Sequence, residues 1–251
     1  MLRLKRLARP VFPGLRCLRG TGYDGLMITV HHLENSRSQR VLWLLEELGL
    51  PYEVKRYERD KKTMLAPPEL LQVHPLGKSP VITDARSGHT IAETGAIVEY
   101  LVDTAEGRLR PPAGTTEFLR WRYWLHFAEG SAMPPLLMKL VFDTVAKAPV
   151  PFFIKPVVKG ISGKVLSSFV MPNIRRQLDF IEAEMAGRQW LCGDTFTAAD
   201  VMMSFPLEAA AQRAGLDATW PRTLALLKAM HERPAYRRAL ERGGPYSFAN
   251  V

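Results

Sequence analysis

The sequence predicts an α/β domain of order βαβαββα followed by an all-α helical domain. Three observations carry this. Residues 28–57 read strand, helix, strand; residues 81–101 read hairpin and then helix; beyond residue 116 the apolar pattern is helical throughout. Strand, helix and strand at the first spacing make a βαβ unit, which requires a right-handed crossover and a parallel strand pair.

Ile28-Thr29-Val30-His31-His32-Leu33 is the first strand. Asn35-Ser36-Arg37-Ser38 leads into a helix whose Val41, Leu44, Leu45 and Leu48 recur at helical spacing, and Gly49 and Pro51 stop it. Ser36 with Gln39 matches a capping box. Tyr52–Tyr57 is the second strand and Pro67–Val73 a short helix. Val81 and Ile82 open a hairpin that turns at Arg86-Ser87-Gly88-His89 and returns through Thr90-Ile91-Ala92. Glu93-Thr94 then starts a helix with Ile97, Val98 and Leu101 as its apolar stripe. These boundaries place an α/β domain at 27–105, a linker at 106–116 and the helical domain at 117–248. Within the helical domain a long aromatic helix runs from Glu117 to Leu140, interrupted or kinked near Pro134-Pro135. Residues 148–163 read as an irregular apolar excursion, and a second long helix starts at Lys164. Thr197 caps a further helix, with Asp200 three residues on reaching back to it. Two short helices split near Pro234 end the chain.

Composition narrows the function classes. With 47% hydrophobic and 24% charged residues, the chain has ordinary globular composition and enough apolar mass for a large core. No 18-residue apolar run exists, so no transmembrane helix is expected. Cys17 and Cys192 belong to no metal-spaced or CxxC set, and no HExxH occurs, so no metal site and a reducing cytoplasm are expected. His31 and His32, adjacent on a strand, point to opposite faces. The net charge of +9 is uneven: residues 1–26 carry six basic residues against one acidic, the rest 28 against 24. A nucleic-acid surface is therefore not indicated for the body. Residues 1–26 read as a basic, disordered arm, a transit-like leader, or sequence upstream of a working start at Met27.

The most informative stretch is residues 73–101. At one end Lys78-Ser79-Pro80 offers a cation and, if the Ser79–Pro80 bond is cis, a backbone edge for an extended peptide. At the other, Glu93-Thr94 and the free N–H groups of a helix start offer a carboxylate site. Together they suit a short anionic peptide. HPLGKSP and AETGAIVEYL, in this order across one hairpin, resemble the NPxGKVP and ESxAIxxYL of the glutathione transferase family. The Thr197–Asp200 box resembles that family's buried capping box, and the resemblance spans residues 27–248. It implies a thioredoxin-like N-terminal domain, an all-helical C-terminal domain, glutathione as co-substrate and a homodimer.

The resemblance also assigns roles. Lys78 meets a glutathione carboxylate at the glycine end, Ser79 binds through its backbone beside Pro80, Glu93 meets the α-ammonium and Thr94 the γ-glutamyl carboxylate. His74 stands where the family has asparagine and braces the loop, and Arg37 is a further carboxylate partner. The family places a thiolate-stabilising hydroxyl or cysteine just after the first strand. Ser36 fits that role, with Ser38 and Asn35 as alternatives, and NSRSQRVLWLLEELGLPYE resembles the serine-type bacterial and fungal branch. No cysteine stands at 35–38, so glutathione's own sulfur is the only nucleophile, which favours conjugation to hydrophobic electrophiles or peroxide reduction. Trp121, Trp124, Phe127 and Met138 are candidates to line the electrophile pocket. The competing expectation is a non-catalytic binding or stress protein on the same fold.

Overall fold

The structure, a computed structural model, describes residues 28–249. The readings of residues 1–26, of Met27 and of Cys17 lie outside the described residues. Strands β1 (Ile28–Leu33), β2 (Tyr52–Tyr57), β3 (Val81–Asp84) and β4 (His89–Ala92) form one sheet in the order β2-β1-β3-β4. β1 pairs parallel with β2, Ile28 opposite Tyr52, and antiparallel with β3, Ile28 opposite Asp84. The parallel pair is the one expected from the βαβ spacing.

Strand alternation assigns the two faces of the sheet. Ile28 and Val30 join the main core under α1 (Ser38–Leu48) and α3 (Thr94–Thr104). Leu33 and Tyr57 face the other way and pack with Leu70 of α2 (Leu70–Val73). His31 follows that second face, between Tyr57 and Thr83, and His32 follows the first, beside Ser38. α2 is shorter than the Pro67–Val73 expected, because Pro67-Pro68 forms a turn that leads into it.

The helical domain begins with α4 (Thr116–Phe127), capped by Thr115, whose hydroxyl accepts the Phe118 N–H at 3.2 Å. A π-helical turn, Ala128–Ala132, joins α4 to α5 (Met133–Ala146) without a break. The same device, Leu166–Val170, joins α6 (Lys155–Val165) to α7 (Met171–Glu184). Pro156 falls in the first turn of α6, where a missing N–H costs least, whereas Pro134 and Pro172 directly follow the π-helical turns, whose altered hydrogen bonding accommodates them. For that reason residues 155–163 are helical rather than irregular, and the second long helix starts at Lys155, not Lys164.

α8 (Ala198–Ala214) is the buried centre of the helical domain. Its capping box forms as expected: Thr197 accepts from the first turn, and Asp200 accepts the Thr197 N–H at 2.8 Å and the Leu191 N–H at 2.9 Å. α9 (Pro221–Glu232) and α10 (Pro234–Gly243) follow, and α10 packs on α1. A Cβ at Gly243 would lie 2.6 Å from Gln39 Oε1 and 2.9 Å from Leu42 Cδ1, so a larger residue there would require these two side chains to shift.

Candidate functional site

A cavity of about 700 Å³ opens where three short segments meet. The end of β1 and the start of α1 contribute Leu33 and Arg37. The loop from α2 to β3 contributes His74 and residues 76–80, and the β4–α3 junction contributes Ala92, Glu93 and Thr94. The helical domain closes it with Glu129 and Leu137, and Arg59, Leu65 and Leu71 form the remaining rim. Lys78, Ser79, Pro80, Glu93 and Thr94 thus line one space, although a hairpin separates the two groups in sequence.

The β4–α3 junction is conformationally unusual. Glu93 adopts φ 69° and ψ 122°, a left-handed region that costs a non-glycine residue about 1–3 kcal/mol. Its carbonyl accepts the Ile97 N–H at 3.0 Å, and the preceding first-turn N–H groups of α3 have no helical partner. Thr94 is buried, and its Oγ1 lies 3.4 Å from Nη2 of Arg40. Arg40 can only donate there, which leaves the Thr94 hydroxyl proton free to point into the cavity.

Arg40 is itself 1% exposed. Nη1 donates to the Met202 carbonyl at 2.6 Å, and Nη2 contacts Glu129. Glu129 also receives Nε of Arg37 on both carboxylate oxygens, at 3.0 and 3.1 Å. Burial raises the Glu129 carboxyl pKa, but Arg40 and Arg37 more than offset it and hold the group below the usual carboxylate range. The π-helical turn carries Glu129 to this position, an arrangement that recurs at functional sites. The expected carboxylate partner, Arg37, thus lines the cavity with its charge already shared by Glu129.

At the opposite end, Lys78 is exposed and forms no ion pair among the described residues, and neither does Glu93. The Ser79–Pro80 bond is cis. The Ser79 side chain is engaged as well. Its hydroxyl donates to the His31 carbonyl at 2.9 Å and accepts the Leu33 N–H at 3.3 Å, so its side chain ties the loop to β1. Its backbone groups join no other backbone group among the described residues. His74 braces the loop as expected, Nδ1 accepting the Leu76 N–H at 3.3 Å. Gly77 has φ 56°, and a Cβ there would meet Leu71 Cδ2 at 2.8 Å.

Ser36 stands apart from these residues. It is buried between the lining residues Leu33 and Arg37 without itself being one of them. The capping box with Gln39 does not form: Arg37 occupies the N-cap position with no side-chain cap, and the buried Gln39 amide has no hydrogen-bond partner. Instead Ser36 ends a hydrogen-bond chain. Ser36 Oγ lies 2.8 Å from Ser38 Oγ, which lies 2.8 Å from His32 Nδ1. His32 is also bonded to the backbone of Gly243, a contact that raises its pKa and therefore has the ring N–H donating to the carbonyl. Burial, with Arg56, outweighs that contact and pushes the imidazole down to about 4. The ring is neutral at pH 7, so Nδ1 accepts from Ser38, and Ser38 in turn accepts from Ser36. At rest the Ser36 proton points inward. Asn35 is held elsewhere: its Oδ1 accepts from the N–H and hydroxyl of Ser247, at 2.8 and 2.9 Å.

Trp121, Trp124 and Phe127 are buried in the core and Met138 packs against it; none of the four lines the cavity. Aromatics at helical spacing here serve packing. The residues that sequence reasoning missed are Arg40, Arg59, Glu129 and Leu137. Arg40 sits in an apolar helix pattern and Glu129 in the middle of a long helix, and only the three-dimensional approach of α1, α3 and the π-helical turn brings Arg40 and Glu129 into one network.

Sheet order, hairpin and closing helices together define a thioredoxin-like domain joined to an all-helical one, with the cavity between them. The family model described as glutathione S-transferase, N-terminal domain, matches residues 26–103, and the one described as glutathione S-transferase, C-terminal domain, matches residues 165–242. Glutathione S-transferase 3 of Schizosaccharomyces pombe is 37% identical over 220 residues, 86% of this chain and 88% of that protein. A solved glutathione S-transferase from Actinobacillus pleuropneumoniae superposes with TM-score 0.72 at 30% identity, covering 90% of this chain and 97% of the other. A glutathione transferase family member from Pseudomonas fluorescens, solved with two glutathione bound, gives TM-score 0.68 at 26% identity, covering 85% and 92%. The chain belongs to the glutathione transferase family.

Proposed function

We propose that the chain is a serine-type glutathione transferase that adds the glutathione sulfur to hydrophobic electrophiles, with peroxide reduction as a second use of the same thiolate. The observation that carries this reading is the convergence of Lys78, Ser79, Pro80, Glu93 and Thr94 on one cavity. Lys78 pairs with the glycine-end carboxylate, and the Ser79 backbone, next to the N–H-free Pro80, pairs with the tripeptide's backbone. Glu93 takes the α-ammonium. The α3 start and the Thr94 hydroxyl take the γ-glutamyl carboxylate, helped by the helix dipole. The sulfur then reaches the α1 start, where Ser36 donates to the thiolate once its hydroxyl turns away from Ser38. Glutathione binds as co-substrate, and the active species is a homodimer.

Retention on immobilised glutathione followed by conjugation of 1-chloro-2,4-dinitrobenzene tests this reading. Retention with turnover, both weakened by Lys78→Ala, is expected; a protein that is not retained refutes it. One observation favours a second reading, a glutathione-binding protein without catalysis: the inward Ser36 proton. That reading predicts retention with no turnover.

A further inference from the structure

The hairpin of α5 and α6 carries an apolar surface that nothing among the described residues covers. Phe152 and Phe153, in the connecting loop, are 85% and 66% exposed. Val157 and Ile161 on α6 are also exposed, and Ser162 is that helix's only buried residue. On α5, Leu137, Val141 and Val145 recur four residues apart, all exposed, so the stripe runs from the cavity wall towards the loop. A core helix would hide such residues, and a solvated loop would not gather them.

The charge around this surface is of one sign. Between Lys147 and Lys164 there is no acidic residue, but there are four basic ones: Lys147, Lys155, Lys159 and Lys164. All four are exposed, and none forms an ion pair among the described residues. Apolar side chains at a helical tip, flanked by free cations, match an anionic bilayer surface: the rings enter the headgroup boundary and the lysines meet the lipid phosphates and carboxylates. A second copy fits worse, because a two-fold contact would set this unneutralised patch against itself. No helix among the described residues is long and apolar enough to span a membrane, so the contact is peripheral.

We infer that the α5–α6 tip docks this protein on anionic membrane surfaces. The test is flotation of the full chain with vesicles of phosphatidylcholine alone and with about one-third phosphatidylserine added. Wild type should float with the anionic vesicles at least about tenfold more strongly than with neutral ones, since each cation near such a surface is worth about fivefold. Phe152→Ser/Phe153→Ser and Lys155→Glu/Lys159→Glu should each remove most of that binding with unchanged melting temperature, because the substituted side chains are exposed. The inference is overturned if wild type ignores anionic vesicles. It is equally overturned if the double phenylalanine variant still floats, which assigns the binding to charge elsewhere such as residues 1–26. Conversion of a dimer to a monomer by that variant in sedimentation would overturn it too, making the tip an interface between copies.

Discussion

Replacing Ser36 with alanine tests the hydroxyl chain directly. In the resting site Ser36 donates to Ser38, a neutral bond worth about 0.5–1.5 kcal/mol, whereas donation to a thiolate is worth about 1.5–3 kcal/mol. Turning the hydroxyl from one to the other therefore stabilises the thiolate by only about 1–1.5 kcal/mol, roughly five- to twelvefold. The bound thiol's pKa should rise by about one unit in Ser36→Ala, and turnover at neutral pH should fall by the same factor. Glutathione affinity should change little, because the proposed contacts to both ends of the tripeptide, at Lys78 and at Glu93-Thr94, are untouched. The variant also removes the acceptor of the Ser38 N–H, 3.3 Å away, so a lower melting temperature by itself decides nothing. Ser38→Ala is the deciding companion. It removes the inward acceptor and frees the Ser36 proton, so the bound thiol's pKa should fall below wild type. The assay is the pH dependence of thiolate ultraviolet absorbance with glutathione bound. Coincident titrations for wild type and Ser36→Ala, with no fall in Ser38→Ala, would refute the reasoning.

Other expectations follow from the same geometry. Glu129→Gln leaves Arg40 buried beside a neutral partner, and should cost about 2–3 kcal/mol of stability by chemical denaturation and weaken glutathione binding. His31 and His32 both have pKa values lowered from 6.5 to about 4, chiefly by burial. The unfolded chain therefore binds more protons between these values, and stability present above pH 6.5 should be lost as pH falls towards 4. The loss is at most about 3 kcal/mol per imidazole, measurable as a shallower melting-temperature slope in His32→Gln. Sedimentation should give a species near twice 28.3 kDa, and a monomer at micromolar concentration would contradict the dimer.

Much of the fold is legible because its signals are local. The strand and helix periods, the Gly49 stop and the Thr197–Asp200 box each act within a few residues, and each appears where its residues stand. The prolines of the helical domain misled for an equally local reason. Their cost depends on the local hydrogen bonding: Pro156 falls in a free first turn, and the π-helical turns just before Pro134 and Pro172 accommodate those two. Of the site, the two motif-bearing ends were readable, since each offers its group from backbone geometry that its own residues set. The Arg40–Glu129–Arg37 network was not, because its members lie about ninety residues apart and meet only through domain packing. Nor was the direction of the Ser36 proton, which depends on His32 and on a carbonyl more than two hundred residues away, at Gly243.

Calorimetric titration of glutathione into wild type and into Lys78→Ala and Thr94→Val variants tests the central claim most directly. The account predicts one saturable site per chain in wild type. Each variant should weaken binding about tenfold or more, since each removes a hydrogen bond to a charged carboxylate worth about 1.5–3 kcal/mol. No heat of binding in wild type, or equal affinity in all three proteins, would contradict it.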